Sequence, residues 1–328
     1  MKQPEGYVEM DKFGNKLYCK LKKSLYGLKQ SSRMWNSLIH KFFILEGFEQ
    51  SKCDPCLYLK FDDCNVTIIL IWVDDLIIAC SNKFLLDKCK ESLCRKFRMT
   101  DLGKLKWFLG ISFNVTPNCI EMNQSKYIEK ILDRFNMTDC YVKKTPCDPS
   151  FVNISSVLSN ELVNASLYRE IVGSLIYAMT FTRPDLCFTV TKLSQFMSKP
   201  TKAHLNAAKQ VLRYLKGTIH YGITYCKSSK PLQLTGFSDS DWGSSEDRKS
   251  ISGYCFSLYE HGPLISWKSK KQQTVALSSC EAEYMAFTYA IQEAKFLKQL
   301  LSEFLNIKEC SVSIGVDNQC YQSCKESC

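Results

Sequence analysis

Ile68-Ile69-Leu70-Ile71-Trp72-Val73-Asp74-Asp75-Leu76-Ile77-Ile78-Ala79 is an apolar run rich in β-branched residues, broken once by two adjacent acids. Such residues on both sides read as two half-buried strands joined by a tight turn, with the acids at the tip of a hairpin. Asn-Gly would suit that turn better, and like charges on neighbouring residues repel. Neither folding nor solubility therefore accounts for the pair, whereas a divalent cation beside it would. Two carboxylates presented to Mg²⁺ at a hairpin tip are what nucleotidyl transfer requires. A solvated turn is the other reading, because Asp is common in turns. A membrane span is excluded, since each acid at its centre would cost roughly 2.5–3.5 kcal/mol.

Upstream lie Leu21-Lys22-Lys23-Ser24-Leu25-Tyr26-Gly27-Leu28-Lys29-Gln30-Ser31-Ser32-Arg33-Met34-Trp35, an amphipathic stretch to Gly47-Phe48, and Cys53-Asp54-Pro55-Cys56-Leu57-Tyr58. Downstream come Lys104-Leu105-Lys106-Trp107-Phe108-Leu109-Gly110-Ile111, Tyr168-Arg169-Glu170-Ile171-Val172-Gly173-Ser174-Leu175-Ile176-Tyr177 and Thr182-Arg183-Pro184-Asp185-Leu186. Phe237-Ser238-Asp239-Ser240-Asp241-Trp242, Asp247-Arg248-Lys249-Ser250, Ser278-Ser279-Cys280-Glu281-Ala282-Glu283-Tyr284 and Val316-Asp317-Asn318-Gln319 follow. In content and order these segments resemble the reverse transcriptase and RNase H region of copia-type retrotransposon Pol polyproteins. The resemblance implies an α+β chain: a partial reverse transcriptase palm and thumb, a helical connection, and an RNase H-like α/β domain truncated at its C-terminus.

Composition fits that expectation. At 328 residues the chain can carry two or three cores. Its formal charge of +10, with 12% aromatics, implies an anionic partner, and nucleic acid is the sensible candidate. Eighteen cysteines are scattered, and many fall in apolar or strand-like settings such as Cys80, Cys187 and Cys255. With no signal peptide ahead of them they are expected to be reduced thiols. Cys53 and Cys56 have zinc-like spacing but no second pair and no nearby His. A cytoplasmic location is expected, with the nucleus or virus-like particles as extensions, and neither secretion nor membrane attachment.

Composition shifts divide the chain into a palm-like layer over residues 1–115, a thumb-like segment and linker over 116–160, a helical connection over 161–230 and an RNase H-like domain over 231–328. Tyr127, Ile128, Ile131, Leu132 and Phe135 recur at helical spacing. Between Lys202 and Lys216 a buried stripe is expected from Leu205, Ala208, Leu212 and Leu215. Lys202, Lys209, Arg213 and Lys216 line a second stripe about a quarter turn away. That ridge could track the phosphates of an RNA/DNA hybrid through Lys209 and Arg213, or be an ordinary solvated face.

Toward the C-terminus, Leu234 to Asp241 alternates as a strand carrying Asp239 at or near its end. Strand-like segments at 252–258 and 264–267, a basic turn at 268–271 and a further apolar stretch at 274–277 lead into a helix. Ser278 with Glu281 makes a capping box there, leaving Glu283 free to reach the strand acids. A strand from Ser311 to Val316 delivers Asp317. By resemblance Asp239, Glu283 and Asp317 are ligands for two Mg²⁺ ions about 3.5–4 Å apart. Asp241 is the rival for Asp239, because two residues along a strand returns to the same face.

The resemblance also assigns Asp74 and Asp75 to polymerase Mg²⁺ binding, and Tyr26, Gly27 and Gln30 to the nucleotide pocket. Trp107, Phe108, Leu109 and Gly110 fall at the primer grip, with a buried hairpin as the structural alternative. It implies as partners RNA, DNA, their hybrid, dNTPs and other parts of the Pol polyprotein. The departures matter too. Trp72 stands where tyrosine is usual, Ser31-Ser32 where Ala-Pro is common, and the family's first polymerase Asp precedes Met1. The last RNase H strand and fourth acid would follow Cys328, so the expectation is little activity alone and an exposed edge at 311–316. A non-catalytic or domesticated nucleic-acid-binding module is the alternative function.

Overall fold

The structure, a computed structural model, describes residues 1–25, 27–148, 151, 161–307 and 311–317. It is a mixed helix-and-sheet chain of two compact units, Met1–Asp101 and Leu102–Cys328. No described helix is long and apolar enough to cross a membrane.

In the first unit α1 (Ser31–Leu45) buries Ile39 and Phe43, one turn apart on the same face. It stops where Gly47 adopts φ +83, and the Phe48 N–H donates to the Phe43 carbonyl. The Phe48 ring then packs on Phe43 at 5.5 Å between centroids, completing a Schellman stop with its apolar clasp. Strands β1 (Glu49–Gln50), β2 (Leu57–Asp62), β3 (Asn65–Trp72) and β4 (Asp75–Cys80) form an antiparallel sheet in that order. Along β3, Thr67, Ile69 and Ile71 are buried while the intervening residues are half-buried or exposed, the period of two expected for a strand with one core face. Asn82 caps α2 (Lys83–Lys96) by accepting from the Phe84 and Leu85 amides, and Leu93 of that helix completes the core.

The second unit opens with β5 (Trp107–Phe108), β6 (Ile111–Val115) and β7 (Cys119–Asn123), followed by α3 (Ser125–Arg134). Helices α4 (Ala165–Phe181), α5 (Cys187–Ser194) and α6 (Lys202–Gly217) pack with α3 around Ile128, Tyr168, Leu175, Val190 and Leu212. Thr182-Arg183-Pro184-Asp185 turns the corner between α4 and α5. The Arg183 guanidinium is 1% exposed, pairs with Asp185 at 2.7 Å and donates to the carbonyl and hydroxyl of Thr218. A buried charge is tolerable only when its donors are satisfied in this way.

After α6 the chain forms β8 (Gly222–Cys226), which pairs antiparallel with β7 and completes the sheet β5-β6-β7-β8. The sequence reading gives a helical connection over 161–230 and misses β8, whose five residues carry only Ile223, Thr224 and Tyr225 as strand formers. That pairing sets Cys119 opposite Cys226 with Cα atoms 4.0 Å apart, and the two are joined as a disulfide. This corrects the expectation of reduced thiols throughout: sequence separation hid a partner that only strand register reveals.

A second sheet follows from β9 (Leu234–Ser240), β10 (Ile251–Ser257) and β11 (Leu264–Lys271), then α7 (Ser279–Leu305) and β12 (Val312–Gly315), in the order β11-β10-β9-β12. Ala286, Ala290 and Ala294, spaced by four, give α7 a small-residue face, and Gly236 lets Phe256 lie flat, because a Cβ there would come within 2.2 Å of its ring. The basic segment 268–271, expected as a turn, continues β11, and the apolar stretch 274–277 lies in a loop. Gln272 explains the change of direction. Its N–H donates to Ser250, and its buried side-chain amide donates to the Ser252 hydroxyl and the Ala282 carbonyl, clamping the chain at the sheet's end.

Candidate metal centre and hairpin carboxylates

Three elements converge at one end of the second sheet. β12 runs parallel to β9 with Gly315 opposite Phe237, and two further residues on each strand bring Asp317 level with Asp239. Glu283 arrives from α7, whose start is fixed when the Ser278 hydroxyl accepts from the Glu281 N–H at 3.1 Å. The Glu281 carboxylate returns the bond to the Leu277 N–H at 2.6 Å, one residue before the cap. Glu281 is thereby occupied, and Glu283 lies just beyond the first turn, over the strand ends.

Ligand atoms of Asp239, Glu283 and Asp317 all lie within 4.8 Å of one another. Asp239 and Asp317 are exposed, whereas Glu283 is 7% exposed. Oε1 of Glu283 accepts from the N–H and hydroxyl of Ser240 at 3.1 and 3.2 Å, and its buried Oε2 has no hydrogen-bond partner. Burial, reinforced by the Asp239 and Asp317 charges, pushes the Glu283 carboxyl above the usual carboxylate range. An all-oxygen, three-carboxylate set with an unsatisfied buried acceptor suits a hard divalent cation, which would relieve both the repulsion and the missing bond. Asp241 does not join them. Its oxygens accept from the Ile251 N–H at 2.5 Å and from the Ser244 hydroxyl, holding the loop between β9 and β10.

Asp74 and Asp75 are exposed at the tip between β3 and β4, where Trp72 pairs with Asp75. Val73 adopts φ +57, a left-handed conformation that costs a β-branched residue most. The indole N–H of Trp35 donates to the Val73 carbonyl at 2.7 Å and pins the turn to α1. Among the described residues no third His, Cys, Asp or Glu joins the pair within ligating reach. Gly27, at φ +88, lies in the loop before α1, and Gln30 is that helix's exposed N-cap. Tyr26 lies outside the described residues.

Trp107 and Phe108 form β5, and the tight turn into β6 places Leu109 at φ +48 and Gly110 at φ +72. The Tyr177 hydroxyl donates to the Leu109 carbonyl, and a Cβ on Gly110 would lie 2.9 Å from that oxygen. Trp107 is 44% exposed, with the Lys126 ammonium 5.1 Å from its ring centre. On α6 the basic stripe is largely engaged by its own unit. Lys202 pairs with Glu161, Lys216 donates to the Cys140 carbonyl, and Arg213 lies over Tyr141 at 4.5 Å; Lys209 is half-buried. Trp35, Ser240 and Tyr177, which hold the candidate groups in place, fall inside the segments that carry the resemblance, but neither periodicity nor spacing marks them as hydrogen-bond donors.

Residues 1–149 match the family described as reverse transcriptase (RNA-dependent DNA polymerase). The chain is 38% identical over 304 residues to the retrovirus-related Pol polyprotein from transposon RE1 of Arabidopsis thaliana, covering 92% of this chain and 20% of that one. It is 39% identical over 313 residues to the corresponding polyprotein from transposon TNT 1-94 of Nicotiana tabacum, covering 92% and 23%. The chain thus spans about a fifth of the length of these two relatives. A putative transposon Ty5-1 protein of Saccharomyces cerevisiae is 30% identical over 296 residues, covering 89% of this chain and 94% of that protein. With these matches across both units, the chain belongs to the copia-type retrotransposon Pol family and carries its reverse transcriptase region.

Proposed function

We propose that the second unit carries an RNase H-type centre that cuts the RNA strand of an RNA/DNA hybrid, and that the first unit supplies the polymerase hairpin of the same transposon machinery. The observation that carries the first part is the meeting of Asp239, Glu283 and Asp317 from three separate elements within 4.8 Å. Mg²⁺ bound there would supply charge neutralisation and Lewis-acid polarisation at a phosphodiester undergoing displacement. Glu283, anchored through Ser240, is the rigid buried member, while the two exposed aspartates face the side from which a substrate can approach. Asp74 and Asp75 would hold Mg²⁺ for dNTP addition at a primer end, with Gly27 and Gln30 near the incoming nucleotide and Trp107 to Gly110 against the primer. RNA, DNA and their hybrid are the partners, together with other parts of the Pol polyprotein, and hybrid recognition through shape and 2′-hydroxyls predicts little sequence preference.

The test is cleavage of a labelled RNA strand in an RNA/DNA hybrid by the full chain in Mg²⁺. Cleavage should fall at least a hundredfold in Glu283→Gln and persist in Asp74→Asn. Cleavage that is absent from the unaltered chain, or equal in Glu283→Gln, overturns the assignment and leaves the second reading, a module that binds nucleic acid without chemistry. That reading is favoured in the first unit by the lack of a third ligating side chain beside Asp74 and Asp75 among the described residues.

A further inference from the structure

A cleft of about 200 Å³ opens between α7 and the β10–β11 half of the second sheet, lined by Ser252, Tyr254, Lys268, Lys270, Tyr289 and Glu293, with Gln292 at its edge. Register explains its lining. Ser252 pairs with Lys270 and Tyr254 with Lys268, so all four stand on the sheet face that carries Phe256 against α7. The acid in the cleft is already committed: the Glu293 oxygens accept from the Tyr254 hydroxyl at 3.1 Å and the Ser266 hydroxyl at 2.7 Å. Burial, then the Glu293 charge, keeps the Tyr254 hydroxyl protonated and donating. The lysines are not neutralised. Neither Lys268 nor Lys270 forms an ion pair among the described residues, whereas Lys271, on the opposite face, pairs with Asp247 at 2.9 Å. Lys270 is steadied over the Tyr289 ring at 4.6 Å, a contact that orders the ammonium without cancelling its charge.

The cleft also has a fixed relation to the carboxylate cluster. Ser240, whose N–H holds Glu283, stands in one row with Ser252 and Lys270 across three neighbouring strands. At about 4.8 Å per strand that row spans about 10 Å. Along α7, Tyr289 lies six residues beyond Glu283, about 9 Å at 1.5 Å per residue. Both routes put the backbones of Lys270 and Tyr289 about 10 Å from those of Ser240 and Glu283, a few nucleotide steps at about 3.4 Å of rise per step.

We propose that this cleft seats a backbone phosphate of the nucleic-acid strand whose phosphodiester lies at Asp239, Glu283 and Asp317, with Lys268 and Lys270 as the two cations. The proposal rests on the RNase H-type reading above and adds the contact that sets the strand's position. It is tested by binding of the full chain to a fluorescent RNA/DNA hybrid over a range of salt concentrations, with Lys268→Gln/Lys270→Gln compared with Lys295→Gln/Lys298→Gln on the exposed outer side of α7. The expected result is a log K against log salt slope shallower by about 1 in the cleft variant, near the 0.9 expected per phosphate contact, and about tenfold weaker binding at 0.1 M salt. The outer pair should leave the slope nearly unchanged. A cleft variant that keeps the unaltered slope, or an outer pair that flattens it equally, overturns the phosphate seat while leaving the cleavage assay to judge the cluster. An unaltered chain that binds no hybrid overturns both.

Discussion

Val73 shows how a single residue can be placed against its own preference. A β-branched side chain at φ +57 costs about 1–2 kcal/mol relative to glycine's freedom there, and the turn keeps its shape because Trp35 holds its carbonyl. Strain of this kind collects where a neighbouring group must be presented in one orientation, and here the neighbours are Asp74 and Asp75. Replacing Val73 by Gly is expected to stabilise the first unit by up to about 1 kcal/mol in urea unfolding, since relief of strain outweighs the added freedom of the unfolded chain. A loss of stability would show that the valine side chain contributes more by packing than its backbone costs. Glu283 is the converse case: an acid pushed toward neutrality by burial and by Asp239 and Asp317, which a cation would return to the charged form.

Among the elements, α6 offers a pH test through its cap. His204 sits at N3, where its Nδ1 accepts from the Thr201 N–H at 3.0 Å, while its ring stacks on Phe196 at 4.0 Å. Burial, partly opposed by the Glu246 charge, holds its pKa below the usual 6.5. In the unfolded chain the ring takes up a proton as pH drops through 6.5, but in the fold it stays neutral further down. The stability it contributes is therefore complete above 6.5 and is lost as pH falls toward the depressed folded value. Thermal melts should show the midpoint falling below pH 6.5, with a shallower fall in His204→Gln. Identical limbs would remove His204 as the cause. The α6 stripe of Ala208, Leu212 and Leu215, the strands around Asp74-Asp75 and the start of α7 at Ser278 were legible because apolar period and cap chemistry are local signals. Asp239, Glu283 and Asp317, which the structure brings together, were named from strand alternation and family resemblance. β8, the extension of β11 and the clamp of Gln272 were not legible, because partners distant in sequence decide them. A capping box back to Ser278 was expected, but the Glu281 carboxylate accepts from the Leu277 N–H instead, a choice between two adjacent backbone donors that the sequence pattern does not make.

At the scale of the whole chain, the family match and the physical units do not share a boundary. The matched region ends at residue 149, while the sheet begun by β5, β6 and β7 takes its fourth strand from residues 222–226, beyond helices α3 to α6. A piece cut at the family boundary would leave β7 with an open edge, so any piece that keeps this sheet whole must run from β5 through β8. The bond between Cys119 and Cys226 spans 107 residues and encloses the helical core. One consequence concerns protease digestion. A single tryptic nick after the exposed Lys144 falls inside the closed loop, so the two pieces should migrate together on a denaturing gel without reductant and separate once dithiothreitol is added. Separation in both lanes would mean that the two thiols are not joined.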